Sequence, residues 1–160
     1  MDIYQLKYYR RLRDLKTKKI HDLTNIELEW AVAKCEGRDM YVDSDGIWFR
    51  DTATHKDGFK TDYSGWTLCG PIIEREKISL KFLNEGDGWC AYIGCIPHDF
   101  LLWNQSYDTS NSYGEGPTPL IAAMRCYVTN KLMGDKDIEP ILKHGHLTIK
   151  IPPDIARFED

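Results

Sequence analysis

Two stretches of this chain carry a helix boundary at each end, and the residues between them read as strands and turns. That ordering constrains the fold more than any other feature. Thr24-Asn25-Ile26-Glu27 has the form of a capping box, in which the threonine hydroxyl accepts from the amide at position 27 and the glutamate reaches back. Leu23 and Leu28 flank it at the spacing of a hydrophobic staple. Leu28, Ala31, Val32 and Cys35 then form one stripe, Ile26, Trp30 and Ala33 widen it, and Gly37 supplies the stop. The second helix reads Thr118 as N-cap and Pro119 as first residue, and LIAAMRCYVTNKLM carries it to Gly134. Leu120, Met124, Tyr127 and Val128 share its apolar face.

Between these helices the period changes. Residues 40–43 and 47–50 flank Ser44-Asp45-Gly46, a hairpin signal. Residues 78–83 and 88–95 make a second hairpin around Asn84-Glu85-Gly86-Asp87. Pro71 ahead of IIERE predicts one short helical turn. The polar stretches 51–70 and 96–116 read as long loops. At the N-terminus Tyr4, Tyr8, Leu12 and Leu15 fall on one helical face, which predicts an amphipathic basic helix over 3–16. Near the C-terminus LTIKI looks extended, and Pro152-Pro153 ends or diverts it. The sum is an α+β fold, with two main helices packed on an antiparallel β-meander plus an N-terminal amphipathic helix. The expected organisation is a basic helical extension over 1–19, one globular domain over 20–151 and a tail over 152–160.

Composition narrows the function classes. Of 160 residues, 42% are apolar and 29% charged, enough for a core and against wholesale disorder. No apolar run approaches the roughly 18 residues of a membrane span, and the N-terminus lacks a secretory signal, so a soluble protein without a membrane partner is expected. The net charge of −4 is unevenly spread, because residues 1–21 hold seven Lys/Arg against two Asp. Lys7, Arg10, Arg11 and Arg13 could meet nucleic-acid phosphates or lean on the acidic body, and nucleic acid ranks below the other partners. Five cysteines without paired short spacings fit reduced thiols. Cys90, Cys95 and His98 supply three soft ligands but lack a second pair, so no metal and no cofactor is assigned. Self-association through an exposed strand edge stays open.

The residues that could hold a ligand fall in the second half. Gly114-Glu115-Gly116-Pro117-Thr118-Pro119 leads into a helix, where unpaired amides and the dipole suit an anion, with Thr118 adding a hydroxyl. Thr118 could equally serve only as a cap, with the prolines fixing the entry angle. Arg75 and Arg125 suit phosphate, or else pair with a carboxylate such as Glu74 or Glu76. Tyr63, Ser64 and Trp66 offer stacking and hydroxyl groups in the first long loop. The candidate ligand site is therefore Tyr63, Ser64, Trp66, Arg75, Gly116, Thr118 and Arg125. No GxSxG, HExxH or Cys–His signature occurs, which argues for a non-catalytic role.

Four blocks, LTNIELEWAVAKCEG (23–37), CGPIIEREKISL (69–80), DGWCAY (87–92) and GPTPLIAAMRCYV (116–128), resemble the NinX-type proteins of tailed bacteriophages. Residues 1–19 look like an added extension, and Cys69 stands where the family pattern has a second glycine. The resemblance implies phage origin, the host cytoplasm and an accessory role such as countering host defence, and it brings no mechanism with it. Joined to the site residues, it suggests a protein that sequesters a small phosphate-bearing, nucleotide-like ligand. The alternative is an interaction module that modulates a host or phage protein.

Overall fold

The computed structural model describes residues 16–38, 40–42, 47–49, 63, 65–83, 88–93, 112–134 and 148–156. Their elements run β1 (Lys16–Lys19), a 3-10 turn (Ile20–Asp22), α1 (Asn25–Cys35), β2 (Met40–Val42), β3 (Ile47–Phe49), α2 (Trp66–Glu76), β4 (Ser79–Phe82), β5 (Trp89–Ile93), β6 (Ser112–Gly116), α3 (Pro119–Gly134), β7 (Thr148–Ile151) and α4 (Pro153–Ala156). The fold is α+β with antiparallel sheets, as the pattern of periods predicts. The chain divides into two compact units, residues 1–61 with 140–160, and residues 62–139. No helix among the described residues is long and apolar enough to cross a membrane.

In the first unit the capping box forms as expected. Thr24 Oγ1 accepts from the Glu27 amide at 3.4 Å, and Glu27 Oε2 accepts from the Thr24 amide at 2.9 Å. Leu28, Trp30, Ala31, Val32 and Ala33 are buried, so apolar surface wraps most of α1, while Cys35 is only half-buried. Gly37 takes the left-handed conformation at φ 66° that lets the Arg38 amide turn back to the Ala33 carbonyl. The hairpin signalled by Ser44-Asp45-Gly46 pairs Met40 with Phe49 and Val42 with Ile47. The basic helix expected over 3–16 lies outside the described residues save Lys16. The segment that follows is a strand, because β1 pairs antiparallel with β7, Lys16 opposite Ile151 and Lys19 opposite Thr148. Beyond Pro152 the chain turns into α4 and buries Ile155, where the sequence suggests a departing tail.

In the second unit β4, β5 and β6 form a meander in that order, and α3 packs against all three strands. The second expected hairpin is β4–β5, with Phe82 opposite Trp89. Two expectations need correction. Residues 112–116 belong to a strand, not a long loop. Ser112, Gly114 and Gly116 alternate on its buried side, and the backbone of α3 lies so close that a Cβ on Gly114 would stand 2.4 Å from the Ala122 carbonyl oxygen and the Cys126 amide. Only glycine permits that approach. Likewise Pro71 does not open a short turn but sits inside a helix that begins at Trp66. An interior proline costs a backbone hydrogen bond. Burial of Cys69 and Ile72, one turn apart on a single face, accompanies that cost, and the Cys69 thiol donates to the Tyr63 carbonyl at 2.8 Å.

Candidate ligand-binding site

The two ends of α3 place the candidate residues in two separate groups. At the N-terminal end Thr118 is the cap. Its hydroxyl oxygen accepts from the Ile121 amide at 3.2 Å, and its carbonyl takes the Ala122 amide. Gly116 closes β6 and is buried, with Ile121 Cγ2 2.7 Å from where a Cβ would stand. Arg125 reaches from α3 to the edge strand, where its Nη1 donates to the Glu115 carbonyl at 2.8 Å. Thr118 thus caps α3, while Gly116 and Arg125 make the contacts that fasten α3 to β6. The alternation of small residues at 112, 114 and 116 was the available signal that this run is a packed strand.

The other group lies further along α3. Arg75, in the last turn of α2, donates from Nε to Glu76 Oε1 at 3.0 Å and sets its guanidinium 5.9 Å from the centre of the Tyr127 ring, with Nη2 3.5 Å from the tyrosine oxygen. Lys131 Nζ stands 3.1 Å from the same Glu76 oxygen and 5.4 Å from the same ring. The ring is wholly buried, whereas the Arg75 and Lys131 side chains are 50% and 39% exposed. Burial works against the charge on Glu76, but hydrogen bonds from Lys131 and Arg75 and the attraction of both cations outweigh it. Its carboxyl therefore titrates below its ordinary range. Glu76, and not Glu74, is the partner of Arg75, and Arg125 reaches a backbone carbonyl.

Lys131 and Tyr127 are not among the residues the sequence singles out for a ligand, and Glu76 is named there only as an alternative partner of the arginines. Tyr127 and Lys131 are one helical turn apart, which was a signal that they share a face. Tyr127 follows Thr118 by about 13 Å along the helix axis, so Arg75 and the Gly116–Thr118 start do not meet at one point. Tyr63 is buried, Trp66 is 57% exposed at the first position of α2, and Ser64 lies outside the described residues. Of the proposed soft ligands, Cys90 is buried and its thiol approaches the Lys81 carbonyl, while Cys95 and His98 lie outside the described residues. Burial pushes the Cys126 thiol up to about 12, against a small opposing effect of a backbone hydrogen bond at Ile93, so it stays protonated at neutral pH and is no nucleophile.

Comparison with curated proteins finds no match. A family model does match, over residues 19–131, and its description is bacteriophage P22, NinX. That span includes α1, α2, the β4–β5–β6 meander and most of α3, and the chain belongs to this NinX family of phage proteins.

Proposed function

We propose that this phage accessory protein is a non-catalytic binder of a small phosphate-bearing, nucleotide-like ligand, held by Arg75 and Lys131 beside the Tyr127 ring. The observation that carries this reading is that two half-exposed cations share one carboxylate. The three side chains sum to one positive charge, and arginine and lysine together offer the donors that phosphate oxygens require. Glu76 fixes the geometry of both cations without neutralising them. Trp66 begins the same helix that ends near Arg75, about 13 Å away along the axis, so a base would stack there only if the ligand extends along α2. In an infected cell, sequestering a nucleotide signal of host defence would give such a site its purpose.

Isothermal titration of the full chain with ATP and with inorganic pyrophosphate tests the reading. Saturable binding of ATP without turnover, lost in Arg75→Ala, is the expected result. No heat with either probe, or unchanged binding in an Arg75→Ala/Lys131→Ala variant, would refute it.

A second reading, an interaction module for a host or phage protein, is favoured by exposed aromatics. Trp66 and Phe82 are 57% and 53% exposed, and Phe82 stands edge-on to Trp89 with ring centres 5.4 Å apart. Large aromatic side chains of this kind anchor protein interfaces. In that case Trp66→Ala or Phe82→Ala would abolish capture of one dominant partner, and Arg75→Ala would leave it intact.

A further inference from the structure

Arg75 Nε and Lys131 Nζ converge on one and the same oxygen, Glu76 Oε1, at 3.0 and 3.1 Å. An anionic oxygen held between a guanidinium and an ammonium is what a bound phosphate would present, so the protein's own carboxylate stands where the proposed ligand would bind. Against the cost of burial, hydrogen bonds from Lys131 and Arg75 hold that carboxyl below its ordinary range, and it is charged at neutral pH. Glu76 is 15% exposed, whereas both cations keep far more of their surface in solvent. The carboxylate is therefore the inner member of the group, and the cations are the members that can turn outward to a new partner. Lysine's flexible stem and arginine's several donors allow that exchange without moving the helices. The Tyr127 ring is wholly buried and already faces both cations, so recognition here rests on the phosphate and not on a base stacked against the ring.

We propose, on the reading that Arg75 and Lys131 hold a phosphate, that Glu76 determines the specificity of that site. Its carboxylate competes for the donors of both cations, so that only a ligand with a terminal phosphate displaces it. A terminal phosphate carries about −1.5 to −2 charges at neutral pH and offers three acceptor oxygens, more of each than a carboxylate. A phosphodiester carries a single charge, so exchanging it for Glu76 gains little. The ligand class narrows to phosphomonoesters and oligophosphates, and nucleic-acid backbones, phosphodiester lipids and carboxylates are disfavoured. Glutamine at position 76 keeps an acceptor oxygen to position both cations and removes only the competing charge.

Isothermal titration of the full chain with inorganic pyrophosphate, AMP and cyclic AMP at neutral pH, in the wild type, Glu76→Gln and Glu74→Gln, tests this. The two nucleotides share a base and differ in whether the phosphate is a monoester or a diester. The wild type should bind pyrophosphate and AMP in preference to cyclic AMP. Glu76→Gln should tighten pyrophosphate about tenfold, the scale of one hydrogen bond to a charged group, and bring cyclic AMP into measurable range. Glu74→Gln makes the same change of net charge at an exposed position of the same helix and should leave all three affinities as they were. Pyrophosphate affinity unchanged or weaker in Glu76→Gln, with wild-type binding intact, would overturn the competition and leave the phosphate site standing. Equal tightening in Glu74→Gln, or cyclic AMP bound by the wild type as tightly as AMP, would do the same. Binding confined to Glu76→Gln would uphold the competition and refute the reading of the wild-type site. No binding of any probe to any of the three proteins would overturn both.

Discussion

The two ends of α3 use polar residues in opposite ways. At the N-terminal end Thr118, Gly116 and Arg125 make contacts within the fold, joining helix cap, strand and strand edge. Further along, Arg75 and Lys131 converge on one carboxylate and one buried ring while keeping much of their surface in solvent. The lesson is that a glycine- and threonine-bearing helix start is not by itself an anion cradle. Where the helix lies on a strand at backbone contact, the glycines are needed to admit the helix and the threonine is needed to cap it.

The largest expected effect probes the first end. Gly114→Ala should destabilise the protein by about 3 kcal/mol, because the new methyl meets helix backbone and not a side chain that could move. A chemical denaturation midpoint close to that of the wild type would show that α3 can lift off β6, and would break the contrast. Next comes the other end, where Arg75→Ala should weaken pyrophosphate binding about tenfold or more, the scale of a lost hydrogen bond to a charged group. Its denaturation midpoint should barely change, since a half-exposed pair contributes little to stability.

Thr118→Ala sharpens the comparison from the opposite direction. It should cost about 1 kcal/mol of stability through the lost cap and leave pyrophosphate affinity unaltered. Affinity falling with the cap would move the site to the helix start. The smallest effect is the pH dependence of Glu76. Its folded-state pKa lies below the unfolded value, so its contribution to stability is complete above the unfolded value and fades as pH falls through the depressed one. Acid titration of stability should show slightly less loss in Glu76→Gln than in the wild type.

How much of this was legible in the sequence depends on where the deciding atoms lie. The starts of α1 and α3 were readable because Thr24, Glu27, Thr118 and Pro119 adjoin the helices they open. The start of α2 was not, because Gly65 has no side chain to announce a cap and Pro71 imitates a first-turn proline from the helix interior. Its end was equally silent, since Lys77 takes the left-handed conformation where glycine is usual. β6 was hidden because glycine is a poor strand former, and the helix backbone that requires it comes from residues 122–126. Of the site, Arg75 was named from its residue type alone. Glu76, its neighbour in α2, was legible as a partner, whereas Lys131 and Tyr127 reach it through packing of α2 against α3, which no local pattern encodes.

The most direct test of the central claim is a two-dimensional NMR titration of the full chain with inorganic pyrophosphate, followed at backbone amides and the Arg75 side chain. The account predicts saturating shifts at Arg75, Glu76, Tyr127 and Lys131, with Leu120 and Ile121 unmoved. Shifts concentrated at Thr118, Leu120 and Ile121, or none at saturating pyrophosphate, would contradict it.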